Sequence, residues 1–192
     1  MANAGEQQGD LLSDVTDLDL VRHLLADMHD DLYGRIMRFR QLTDLGRDLG
    51  RNGTMIFGPA ATLAWVEARS SFINGNFVAT VLLCQSMVEQ LLASFLHSGL
   101  MADDLPCRIK FKDTLKRCQD RDLLNEQDVK ELEKLMALRN PLSHFRHVDD
   151  ESSLDRRSID GREPFEALIR RDAEFAIGLA TRILAKAPFR LG

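Results

Sequence analysis

The sequence predicts an all-α protein: an antiparallel helical bundle with an N-terminal helical extension. Three observations carry the prediction. Apolar residues recur in steps of three and four along most of the chain, and no segment shows the strict alternation of a half-buried strand. The breaks between these stretches are short, which favours antiparallel neighbours. The chain has 192 residues, 44% of them apolar and 29% charged. That suits one domain with an appendage, large enough to bury a core with no disulfide or metal staple.

Each element has its own signal. Residues 1–13 are polar and are expected to form a disordered tail. Residues 14–57 read as the extension, a helix followed by a Gly-rich loop. In that helix Leu18, Val21, Leu25, Met28, Leu32, Ile36 and Phe39 keep helical spacing, and the helix reaches about Leu45 with a break expected at Tyr33-Gly34. The loosely heptad stripe is compatible with packing on the bundle or with pairing to a second chain. Gly46, Gly50, Gly53 and Gly58 fit no phosphate-loop pattern and read as a linker.

Residues 58–192 read as the bundle. Gly58-Pro59 has the form of a cap followed by proline at the first helical position, and a helix follows to about Ile73. Asn74-Gly75-Asn76 is a turn. The most apolar helix runs from 77 to 98. Gln85, Ser86, Glu89 and Gln90 interrupt it, so it reads as a core helix rather than a membrane span. A basic helix is expected over 107–121, either as a surface for an RNA backbone or as a solvated face, because Asp113, Asp120 and Asp122 interleave with its cations. Asn125 caps the next helix, with Asp128 in its first turn, and that helix is expected to reach Arg139. Residues 148–163 read as a surface loop. The last helix is expected from Pro164 to about Ala187, on a stripe of Ile169, Ala173, Ala176, Ala180, Ile183 and Ala187.

Bulk chemistry bounds the function. The net charge is -5, so any binding of nucleic acid or anionic lipid must come from a local patch. Three cysteines at irregular spacing, Cys84, Cys107 and Cys118, argue for free thiols in a reducing compartment. MANAGEQQGD has neither a basic nor an apolar signal region, so a cytoplasmic protein without membrane association is expected.

One stretch asks for chemistry: LRNPLSH, residues 138–144. The stripe of its helix is Val129, Leu132, Leu135 and Met136, and at about 100° per residue Arg139 falls between Leu132 and Leu135. A core-facing guanidinium needs a partner. Glu89 lies inside the apolar arc of the 77–98 helix, so a buried Arg139–Glu89 ion pair is expected. Pro141 pushes the residue before it out of the α region, so Asn140 is expected to cap a second short helix over 141–147. His144 then sits near a helix N-terminus, which favours an anion. Arginine, helix N-terminus and a group titrating near neutrality suit a phosphodiester. His147 and Arg146 would line the same site or its rim. A purely structural reading stands beside this one: Arg139 staples two helices, Asn140 caps, and His144 is a satisfied core histidine. No metal or cofactor is expected, since His144, His147, Asp149 and Asp150 have no further ligand at convincing spacing. Cys84, in the most apolar helix, reads as packing.

The motif RNPLSH resembles the R-x4-6-H signature of HEPN domains, with a polar residue after the arginine as that family often has. WVEARSSFINGNFVATVLLCQSMVEQLL resembles the family's first helical pair, and FKDTLKRCQDRDLLNEQDVKELEKLMALRNPLSH resembles the stretch that leads to its motif. The resemblance covers about residues 60–187 and leaves the N-terminal helix outside. It implies a HEPN-type four- or five-helix bundle and a homodimer with two motifs facing across one cleft. It further implies a metal-independent endoribonuclease of toxin–antitoxin or phage-defence type. On that reading Arg139 and His144 are catalytic, Asn140 supports them, RNA is the substrate, and a protein antitoxin or regulator is a further partner. The same resemblance also admits a non-catalytic module that binds nucleotide, RNA or protein.

Overall fold

The computed structural model describes residues 18–47, 58–98 and 105–189, and every regular element among them is helical. The helices are α1 (Leu18–Asp30), α2 (Leu32–Arg47), α3 (Pro59–Ile73), α4 (Phe77–Ser98), α5 (Phe111–Gln119), α6 (Glu126–Ser143), α7 (Leu154–Gly161) and α8 (Phe165–Leu184), followed by a 3-10 turn at Ala187–Phe189. The expected all-α class is what forms. The expected tail at 1–13 and the linker glycines Gly50 and Gly53 lie outside the described residues.

α4 is the axis of the bundle. It packs against α3, α5, α6 and α8, and Val81, Cys84, Met87, Val88, Leu91 and Leu92 are fully buried on it. Each large aliphatic side chain buried this way contributes roughly 1.5–3 kcal/mol. A helix with apolar residues on most of its circumference needs neighbours on most sides, and α4 has four.

Short-range chemistry sets the order of the helices. Gly58 adopts φ 86° at the start of α3, where a Cβ would come within 2.7 Å of Ser94 Oγ, and Pro59 opens the helix. The Asn74-Gly75-Asn76 turn, with Gly75 at φ 79°, reverses the chain into α4. Asn125 and Asp128 form a complete capping box, each side chain 2.8 Å from the other's backbone N–H. The Asp128 carboxylate also meets Lys186 Nζ at 2.6 Å, and Arg182 pairs with Glu131. Those contacts place the start of α6 beside the end of α8. The start of α8 shares a groove with Gly75–Leu82. Hence α6 runs against α4 and α8, antiparallel to α8.

Several expected boundaries move. The break in the extension falls at Asp31, not at Tyr33-Gly34, because the Asp31 carboxylate draws in Arg35 (3.5 Å) and Arg38 (2.5 Å) and Gly34 is absorbed into α2. The basic helix spans only Phe111–Gln119, with Phe111, Thr114, Leu115 and Cys118 turned to the core. The expected loop at 148–163 contains α7, capped by Ser153, whose Oγ accepts from Arg156 N–H at 3.0 Å. Arg157 makes two 2.8 Å hydrogen bonds to Asp172, which is only 4% exposed and belongs to α8. That bidentate pair fixes a segment too polar to dock by apolar burial. α8 stops at Leu184, and Phe189 is buried against Phe95 by the 3-10 turn that follows.

Candidate functional site

α6 does not stop at Asn140. It continues through Pro141 to Ser143, and His144 is its C-cap in extended conformation (φ −134°, ψ 131°). His144 N–H donates to Asn140 C=O at 3.0 Å, so Asn140 belongs to the helix body and caps nothing. Proline removes its own N–H, the donor that would reach Ala137 C=O, and its ring crowds that carbonyl, yet the helix continues through it. The expected second helix over 141–147 is absent, and so is its N-terminus. The exposed backbone groups here are the carbonyls of a helix C-terminus, whose dipole favours cations. Attraction for an anion must therefore come from side chains.

Arg139 is half-buried and makes no ion pair or side-chain hydrogen bond among the described residues, though its carbonyl accepts from Ser143 Oγ at 3.4 Å. The expected buried pair with Glu89 does not form. Glu89 Oε2 instead accepts from Gln85 Nε2 one turn earlier on α4, at 3.1 Å. Gln85 is buried, and its Oε1 has no hydrogen-bond partner. Both charges are half-buried, and the amide one turn earlier on α4 takes the carboxylate. Arg139 and Arg117 are the half-buried arginines with no ion pair among the described residues; Arg35 and Arg157 are paired.

Beyond the helix the chain is exposed. His144 is solvent-facing rather than a core histidine, and Phe145 beside it is 91% exposed. Arg146 reaches Asp150 at 3.3 Å. Ser152, by side chain and then by backbone, together with Arg146, holds the Asp150 carboxyl below its ordinary range. His147 Nδ1 lies 3.1 Å from the Asp149 carboxylate and 3.3 Å from Asp149 N–H. The ring can accept from the amide when neutral or donate to the carboxylate when protonated, but not both. Arg146 and His147 are thus turned to local acids, while Arg139 and His144 are free to meet a ligand. Sequence reasoning passed over Phe145. The available signal was a large apolar residue between His144 and Arg146 in an otherwise polar stretch.

On α5 the cations share their surface with acids: Asp113, Lys116, Arg117 and Asp120 line one groove of about 360 Å³. No family model, curated protein or solved structure matches this chain.

Proposed function

We propose that the chain is a HEPN-type, metal-independent endoribonuclease whose active cleft is completed by a second copy. The observation that carries the reading is the combination at the end of α6: a half-buried, unpaired Arg139 with an exposed His144 five residues on. A half-buried guanidinium without a partner is costly unless an anion serves as that partner. His144 supplies a proton carrier, and Phe145 offers a ring on which a base can stack. Because α6 ends here, the anion site rests on Arg139 rather than on a helix N-terminus.

The chemistry is attack of the RNA 2′-hydroxyl on the adjacent phosphorus. The P–O5′ bond breaks, leaving a 2′,3′-cyclic phosphate and a free 5′-hydroxyl. One imidazole takes the 2′ proton and a second protonates the departing 5′ oxygen. Each chain has one His144, so a two-fold cleft supplies both. Arg139 stabilises the charge on the pentacoordinate phosphorus. Asn140, with its carbonyl already engaged by His144 N–H, orients that residue.

The test is RNA cleavage in excess EDTA by wild type, His144→Ala and Arg139→Ala purified in parallel. The reading expects wild-type cleavage and a loss of about 100-fold or more in each variant. Equal cleavage by all three assigns the activity elsewhere. A second reading, a non-catalytic interaction module, is favoured by the uncovered apolar face on α1 and α2 (Leu24, Leu25, Ile36, Phe39). Inactivity of the wild type across a broad RNA panel would select it.

A further inference from the structure

The chain between α6 and α8 is built as one piece around Asp150. The Asp150 carboxylate accepts from Ser152 N–H at 2.9 Å, from Ser152 Oγ at 2.6 Å and from Arg146 at 3.3 Å. Its N–H donates to His147 C=O, and its C=O accepts from Ser153 N–H, both at 2.9 Å. Ser153, the one buried residue of the run, then caps α7 through its hydroxyl. Residues 146–161 are thus bonded mainly to themselves, in a run that begins two residues after His144.

Little holds this piece to the bundle. α7 buries none of its own side chains, and the half-buried Leu154 does not join the main core. Among the described residues, the only ion pair or side-chain hydrogen bond from 146–161 to a bundle helix is the fork of Arg157 on Asp172, with both bonds at 2.8 Å. The joints at the two ends are open. His144 and Phe145 are exposed at one. At the other, Arg162 follows Gly161, is exposed, and adopts the left-handed φ of 49° that side chains seldom take.

A self-bonded piece with two open joints and one buried tie can leave as a unit, because breaking the tie disturbs none of its own bonds. We infer that 146–161 is a strap latched to α8 by Arg157 and Asp172, and that these two are positioning residues for His144. With the latch closed, His144 is held from both sides. α6 holds it through the bond from its N–H to Asn140 C=O, and the strap holds the chain two residues further on. With the latch open, only α6 holds it. The fork suits the task, since two parallel N–H bonds set orientation as well as distance. What His144 does rests on the ribonuclease reading, whereas the opening of the strap as a unit does not.

The experiment is amide hydrogen exchange of the full chain, resolved by residue with NMR, for wild type, Asp172→Asn, Arg157→Ala and Arg170→Ala. RNA cleavage in excess EDTA is measured on the same samples. Asp172→Asn keeps the shape of the side chain, and Arg170→Ala removes an exposed pair with Glu174 on the same helix as a control. In wild type the hydrogen-bonded amides of 150–161 should exchange together and before those of α4. Asp172→Asn and Arg157→Ala should each speed them, and the His144 amide with them, about tenfold or more. That factor should exceed the change in α4, and Arg170→Ala should cause none. In the two latch variants kcat should fall about tenfold or more with KM little changed. A rise in 150–161 no larger than that in α4 would mean general loosening and overturns the strap. A faster strap with the His144 amide and kcat unchanged overturns the positioning role. If wild type cleaves no RNA, the ribonuclease reading fails, and the His144 amide still decides whether the strap holds this residue.

Discussion

At the scale of single residues, side chains that sequence reading passed over hold the structure together. Arg38 is buried in α2, donates from Nε to Ile73 C=O at the end of α3 (2.8 Å), pairs with Asp31, and lies over the Phe77 ring at 5.8 Å. Nothing in the periodicity of α2 marks this arginine, because one of its partners, Ile73 C=O, lies 35 positions away. Hydrogen bonds to charged groups are each worth about 1.5–3 kcal/mol. Arg38→Ala should therefore lower the stability measured in urea by roughly 3 kcal/mol and loosen α2 first in hydrogen exchange. Arg157→Ala strands a buried Asp172 carboxylate and should cost about 3 kcal/mol. Arg157→Lys should recover little, because a single ammonium cannot reproduce the fork. The thiols divide as well. Burial pushes Cys84 far above the ordinary thiol range and Cys118 up to about 12, the latter opposed by Arg121, while Cys107 is exposed. A thiol reagent at neutral pH should label one cysteine in the native protein and three in denaturant. Fast native labelling of a second thiol would mean the core opens.

At the scale of elements, legibility followed locality. α3, the turn after it, α4 and the Asn125 cap are all readable because their signals lie within a few residues: proline after glycine, Asn-Gly-Asn, an asparagine with an acid three positions on. α7 was not readable, since what stabilises it is a long-range ion pair from a polar stretch with no apolar period. The end of α6 was misread for a related reason. The preference of a residue before proline is a local bias, and tertiary packing of Leu132 and Leu135 carries the helix past it. Pro141 therefore sits in α6 at a cost, and Pro141→Ala should raise stability by about 1–3 kcal/mol in urea unfolding. If His144 needs the present helix end, the same change alters cleavage with no change in fold. At the other end of α6, Asn125→Ala should cost about 1 kcal/mol. Asp128→Ala should cost more, since that carboxylate serves both the cap and Lys186.

At the scale of the whole molecule, the fold class was legible and the assembly of the site was not. Arg139 and His144 were singled out as candidates from seven residues. Their freedom from Glu89 depends on Gln85 taking that carboxylate, and their place at a helix C-terminus on α6 running through Pro141. The extension shows a further division of labour. Asp31 is held by Arg35 and Arg38, and Gly34 lies against that group so closely that a Cβ would come within 2.4 Å of Asp31 Oδ1 and 2.9 Å of Arg38 Nη1. Gly34→Ala would gain about 1 kcal/mol of helix propensity while displacing the clasp, so the two effects nearly offset and the variant should remain folded. What it should change is where α1 points, readable by small-angle scattering. The direction of α1 is thus written in the joint at residues 31–38, and not in the exposed Leu18, Leu24 and Leu25 of α1 itself. Another amphipathic helix grafted ahead of Asp31 would inherit the same aim, so the surface of the extension can diverge while the joint keeps its geometry.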